Sequence, residues 1–586
     1  MTHSIAGSQA AATPFLTLAA DFYKDRPDLI DHCFVFPNRR SGQFFVNNLK
    51  NLSSGTVILP EVTTIADFLS SITKENPISS VEALFTLFSC YKEIDPSVEF
   101  DKFVYWGNML LNDFNEIDMY MVDAQALFTN VKDNREIATD YIDDELKAKL
   151  SEFFKLSIYQ SAQSHDRLFK SDGSADDDNV KTRFVKMWNQ LYNLYSSFTR
   201  RLSERNLSYT GMMYRHAVAC VNDMHPDQFR HKHYVFVGFN ILSTAQIAIF
   251  KSLKNKGLAE FLWDFNSPAF SEKENKGAKF ISFYKKMFPQ PALFQEPKIK
   301  AFPPITVTGV PSNVGQVKYA LHVVDQLIAG KSGAEKERIL NSTAIVLPDE
   351  SLFIPLVNTI GPEITDTNIT LGYPLSSSSI VSLMRTVSVA HKHAYHDKTA
   401  DSWTFLRNDI LNVLSHPIIK AKFPKLSITL TNELKKGNLY KVKQSSLLAT
   451  ELHLLFETVT PDTGSITAHI SRLIEFAQSL KASAYVAADS RLESSDNESP
   501  SLQDAFIDAY VDVLNELKQS LATHNLSTQS LTTLFYLIDK LAGKHTVPFE
   551  GEPLKGLQIM GVLETRCLDF QNVIVLSMND SVFPRK

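Results

Sequence analysis

Cysteine is scarce: Cys33, Cys90, Cys220 and Cys567 are the only four in 586 residues, and they lie far apart. No Cys-x-x-Cys pair and no Cys/His spacing closes a zinc site, so the sequence predicts a reducing compartment and no structural metal. Long apolar runs are also lacking. No window approaches the roughly 18 uncharged apolar residues of a spanning helix, and Asp21, Lys24 and Asp25 interrupt the amino-terminal segment soon after Leu18. Neither a membrane span nor a secretory leader is expected, and the reading is a cytoplasmic protein. Excess positive charge is missing too. With a formal net charge of -6 the average surface does not attract nucleic acid, so such binding must rest on a local basic track.

The signatures of phosphate chemistry are absent as well. A phosphate loop needs G-x-x-x-x-G-K-[ST] between a strand and a helix. "GKS" at 330–332 follows a helix and has Asp325 where the first glycine belongs, and "GKHT" from Gly543 has Ile538 there. Both read as surface turns. The strand end "YVFVGFN" presents Val237, Gly238 and Phe239 where a magnesium-holding acid and its water-positioning partner would be required. No acid pair fits a PD-(D/E)xK nuclease, and no catalytic residue is assigned.

What remains is an ordinary globular composition, 44% hydrophobic and 21% charged, with 40 Phe and 19 Tyr to fill cores. The length suits about three or four compact units. "CFVFP" at 33–37 reads as a buried strand running into the polar turn "NRRSG", followed by a helix over "QFFVNNLKNL". "TVILPEVTTIADFL" predicts a second strand, a turn, and a helix starting near Thr63 or Thr64. Long amphipathic helices follow. The α/β pattern returns at "HYVFVGFNILSTAQIAIFKSLKNKGLAEFLWDF", whose second strand is expected to end near 263–265, and a Pro- and Lys-rich stretch puts a boundary near residue 300.

The second half repeats the plan. "ITVTGVPSNVGQVKYALHVVDQLI" reads as strand, loop and helix, and "STAIVLPDESLFIPLVNTI" as strand and helix. A helical block with the low-complexity linker "DSRLESSDNESPS" comes next, and α/β signal resumes at "LQIMGVLETRCLDFQNVIVLSMNDSVFPRK". The expected layout is two parallel α/β domains. The first comprises 1–80 and 231–300 around a helical insertion at 81–230. The second comprises 301–384 and 551–586 around an insertion at 385–550, and is unfinished at Lys586.

Taken together, these segments resemble the AddB/RexB-type subunit of bacterial helicase-nucleases, PD-(D/E)xK nuclease family proteins within the UvrD-like superfamily 1 helicase architecture. The helicase motif V reads approximately "lmTlHsaKGLEFdvVfl.gm.eg.fP". "IMGVLETRCLDFQNVIVLSMNDSVFP" keeps its length, its Leu568-Asp569-Phe570 core, the following strand and the Phe583-Pro584 close. "FVFPNRRSGQFF" resembles motif Ia, "EVTTIADFL" the Thr-rich turn after it, and "VGFNILSTAQIAIFKSL" the segment that such subunits carry in place of Asp-Glu. "STAIVLPDESLFIPLV" and "NITLGYPLSSSSIVSLM" resemble the second-domain strands.

The resemblance implies two RecA-like, P-loop-type domains with degenerate ATPase motifs, binding single-stranded or tailed duplex DNA in double-strand break repair and recombination. It implies an AddA-type partner subunit that supplies the motor, no cofactor in this chain, and magnesium only for a nuclease domain that would follow Lys586. Asn38, Arg39 and Arg40 in the motif Ia turn, Thr63 and Thr64 in the next turn, and Thr565 and Arg566 in the motif V turn become candidate DNA contacts. Each has a plainer reading. The arginines can be solvated, the threonines can cap a helix beginning at Ile65, and Arg566 can pair with Glu564. Trp263 and Phe265 suit a core better than a base-stacking platform, and Cys567, where the motif has glycine, reads as a buried thiol that changes a tight turn. Two other readings stay open: an active ATPase whose phosphate loop has diverged, and an interaction scaffold of helicase ancestry.

Overall fold

The structure is a computed structural model that describes residues 2–5, 13–53, 55, 58–96, 98–128, 176–265, 276–294, 303–364, 366–369, 371–397, 402–437, 440–457, 463–481, 502–524, 530–547 and 555–584. The chain divides into two compact units, one of Met1–Ile72, Ala219–Leu242 and Gln246–Lys586, the other of Thr73–Val218 with Ser243–Ala245. Both the expected boundary near residue 300 and the linker at 489–501 lie outside the described residues. Among those described, no helix is long and apolar enough to cross a membrane.

In the first unit β1 (Thr2–Ile5) pairs antiparallel with β8 (Ile305–Thr308), so the strand that opens the second half of the sequence does not join a parallel sheet. Helix α1 (Phe15–Tyr23) leads to β2 (His32–Phe36), whose five residues are all buried, as befits a parallel strand covered on both faces. Pro37 ends the strand. Asn38 then caps α2 (Arg39–Leu52), its side-chain oxygen accepting from the Ser41 amide at 2.8 Å. The next described strand is β3 (Glu61–Thr64), which occupies the place where the turn and helix start were expected; residues 56 and 57 of that segment lie outside the described residues. Its half-buried residues, three of them β-branched, pair with β2 from Glu61 opposite Cys33 to Thr64 opposite Phe36.

Helix α3 (Ile65–Thr73) follows directly. With β6 (His233–Val237) and β7 (Ala259–Leu262) the sheet has the order β3-β2-β6-β7, all parallel. β7 stops at Leu262, short of the expected 263–265. There the Trp263 ring is fully buried, with its indole N–H donating to the Phe288 carbonyl at 2.9 Å.

A second all-parallel sheet, in the same unit, has the order β10-β16-β9-β17 from β9 (Thr343–Val346), β10 (Thr367–Ile369), β16 (Leu557–Met560) and β17 (Asn572–Val575). The segment between β10 and β16 is not purely helical. β11 (Tyr373–Pro374) pairs with β15 (Thr546–Val547), and β12 (Tyr395–Asp397), β13 (Ser402–Leu406) and β14 (Lys441–Lys443) form an antiparallel sheet. These strands are too short to give a period-2 signal, so sequence periodicity reports only the helices around them.

The second unit is built from α4 (Ser80–Ile94), α5 (Phe100–Met119) and helices Asp176–Glu204 and Thr210–Asp223, of which the last runs on past its edge. One two-residue ladder, β4 (Asn76–Pro77) with β5 (Leu207–Ser208), interrupts the expected all-helical character. Phe85, Phe88, Phe103, Phe114 and Phe198 fill its core. Asp118, fully buried, accepts hydrogen bonds from the Tyr195 and Tyr209 hydroxyls and from Arg215 Nε at 2.6 Å, which satisfies its charge internally.

Candidate nucleic-acid interface

At the carboxyl ends of β2 and β3 lies an open groove of about 550 Å³. One wall is a stripe of α2 in which Arg39, Gln43, Asn47 and Lys50 recur at helical spacing, and the other is Val62, Thr63, Thr64 and Asp67. The walls are close because residue 42 is glycine: a Cβ there would lie 2.7 Å from Val62 Cγ1. Arg39 is 80% exposed and 3.6 Å from the Asp67 carboxylate, a solvated pair worth little and easily exchanged for another anion. Among the described residues Lys50 has no carboxylate within ion-pair distance. Asn38 uses its side-chain oxygen on Ser41, while its Nδ2 is buried and without a hydrogen-bond partner among the described residues. Thr64 Oγ1 accepts from the Asp67 amide at 3.2 Å and so caps α3, whereas the Thr63 hydroxyl makes only a long contact, 3.5 Å, to the Thr64 carbonyl.

Four of the seven candidates, Asn38, Arg39, Thr63 and Thr64, thus meet in one groove. The other three do not line it. Arg40, expected in an exposed turn, is 6% exposed. Helical geometry turns it away from Arg39, and its guanidinium donates to Gln558 Oε1 in β16 and lies 5.7 Å from the Phe44 ring. Burial pushes its pKa down to about 10, against the attraction of Glu564. Gln558 Oε1 also accepts from Asn368 at 2.9 Å, so Arg40 ties α2 to two strands of the second sheet. Thr565 Oγ1 donates to the Val562 carbonyl at 2.7 Å within a 3-10 turn. Arg566 is exposed, and among the described residues no carboxylate lies within ion-pair distance of it, Glu564 included. Sequence reasoning missed Gln43, Asn47 and Lys50, although their spacing from Arg39 was the available signal.

Open parallel sheets bind ligands where the strand order reverses, outside the carboxyl ends of the strands. In the order β3-β2-β6-β7 that point lies between β2 and β6, and here the chain itself fills it. The Ser41 hydroxyl donates to the Arg566 carbonyl at 2.8 Å, the Phe15 amide donates to Asp569 Oδ2 at 2.8 Å, and Phe44 meets Phe570 edge to face at 6.2 Å. Cys567 Sγ lies 3.3 Å from the Gly238 carbonyl oxygen, and a Cβ on Gly238 would fall 1.9 Å from that sulfur. Cys567 has a left-handed backbone, φ 61°, the region that favours glycine. Burial raises the thiol pKa well above its ordinary value, which makes Cys567 a packing residue and no nucleophile.

The two GK matches are turns: Gly330 is left-handed, φ 72°, between two helices with Lys331 paired to Glu335 at 2.7 Å, and Gly543 ends helix Leu531–Ala542. Phe265, beyond the buried Trp263, lies under Lys285 Nζ at 4.8 Å. Comparison of the chain with protein-family models and with curated proteins gives no match in either case.

Proposed function

We propose that this chain is the DNA-binding, helicase-like portion of an AddB-type helicase-nuclease subunit acting in double-strand break repair and recombination, with its two parallel sheets derived from RecA-like domains. The groove beside α2 carries this reading. A cationic, amide- and hydroxyl-lined channel at the strand ends suits a phosphodiester backbone, because guanidinium, ammonium and amide donors grip phosphate oxygens without reading sequence. The filled crevice between β2 and β6 supports a chain that does not hydrolyse ATP and so depends on an AddA-type partner for movement. It argues against an ATPase with a diverged phosphate loop. Magnesium enters only with a nuclease domain carried beyond these residues.

The test is fluorescence anisotropy of labelled oligothymidylate over a salt series. Wild-type protein is expected to bind at low salt and to weaken steeply as salt rises, since each neutralised phosphate releases counterion. Arg39→Glu combined with Lys50→Glu should lower affinity by roughly tenfold or more. Absence of binding at low salt, or binding that the double variant leaves unchanged, refutes the reading; the former outcome favours the interaction scaffold.

A further inference from the structure

At the opposite end of the first sheet, the amino-terminal end, His32 and His233 face each other across adjacent strands. They are register partners in β2 and β6, with rings stacked at 4.7 Å and 27°. Asp28, which precedes the 3-10 turn Leu29–Asp31, brings its carboxylate to the same place, and one ligand atom from each of the three lies within 4.8 Å of the others. His32 Nδ1 lies 2.9 Å from the Asp28 carbonyl oxygen, which can only accept, so Nδ1 carries the proton. Nε2 is left with the bare lone pair. That atom is buried in a side chain with no exposed surface, and it has no hydrogen-bond partner among the described residues.

A histidine whose one ring N–H is held by a backbone carbonyl while the other nitrogen stays buried and unpartnered, in a cluster with a second imidazole and a carboxylate, offers a metal ligand. We propose that Asp28, His32 and His233 form a divalent transition-metal site of the zinc class. Imidazole with carboxylate suits zinc and its neighbours in the first row, and excludes magnesium and calcium as preferred ions. Ligands 2.0–2.1 Å from a tetrahedral ion stand about 3.4 Å apart, and His233 Nε2 is now 3.9 Å from Asp28 Oδ2. The side chains of His233 and Asp28 are 35% and 46% exposed, so small rotations close the set and solvent supplies the remaining ligand. Bound there, the ion staples the loop before β2 to the first residues of β2 and β6.

A second cluster, Cys33 in β2, Glu61 in β3 and His231 just before β6, meets the same distance criterion. Its carboxylate is already shared by Arg230 and His231 at 3.0 Å each, and the guanidinium opposes a cation. It serves as the control.

The experiment uses the whole chain, stripped with chelator and titrated calorimetrically with zinc chloride and spectroscopically with cobalt(II). One equivalent is expected to bind, with zinc raising the melting temperature. Asp28→Asn and His233→Ala should each weaken binding by at least about tenfold and abolish the thermal shift, whereas Glu61→Gln should leave both intact. Because the first two positions are partly exposed, their variants are expected to fold even where His32→Ala does not. Three outcomes overturn the site: no binding at micromolar free zinc, binding retained in both Asp28→Asn and His233→Ala, or a cobalt–thiolate band that Cys33→Ser removes.

Discussion

Arg39 and Arg40 are neighbours in sequence with the same side chain, and they do different work. Arg39 is solvated at the mouth of the groove, while Arg40 is buried against Gln558 and Phe44. Arg40→Ala is expected to cost about 1–3 kcal/mol by removing a buried charged donor, and Arg39→Ala to stay within about 0.5 kcal/mol. Urea denaturation of the two variants checks this, and equal midpoints would contradict the assignment. Sequence could not separate the pair, because the partner of Arg40 lies 518 residues away. The same holds for His32, whose second imidazole comes from β6, far along the chain, although Asp28 is close by in sequence. Cysteine and histidine spacing along the chain detects only metal sites whose ligands are close in sequence.

Elements with a continuous apolar run bracketed by breakers were legible. β2 ends at Pro37, and β6 ends at Gly238, whose φ of 70° stops the strand. β3 was misplaced by a few residues because residues 58 and 59 look more strand-like by hydrophobicity than Glu61–Thr64, whose ladder to β2 decides the matter. β8 itself was legible as a strand, but its pairing with β1 was not, since the two strands meet from opposite halves of the sequence. The capping role of Thr64 was legible from residue type alone. Thr64→Ala is expected to destabilise the chain by about 1 kcal/mol through loss of the α3 cap, and Thr64→Ser to restore most of it. Thermal melts decide between this and a purely solvated hydroxyl, for which neither variant moves the midpoint.

For the first unit as a whole, stability should depend on acid through two histidines in its helical block. His391 and His469 are buried side by side, with ring centroids 5.9 Å apart, and burial holds their pKa values down to about 4 and about 3. Unfolded imidazoles take up protons from about pH 6.5 downward, whereas these do not until pH nears 4, so the unfolded chain binds more protons between those limits. Stability is therefore full above about pH 6.5 and falls as pH drops toward 4, by up to about 1.4 kcal/mol per pH unit for each histidine. Urea midpoints at about pH 7 and pH 5 measure the slope, and a flat profile would count against two neutral buried imidazoles.

The seating of Cys567 against Gly238 also makes this molecule its own clock. Cys33, Cys90 and Cys567 are buried and Cys220 is partly exposed, so a thiol reagent finds Cys220 first. Once that position is blocked, the rate at which Cys567 becomes labelled counts how often the segment covering β2 and β6 lifts away. A mass-resolved time course thereby reads the opening of the crevice directly, without a nucleotide, a partner or an assay of activity.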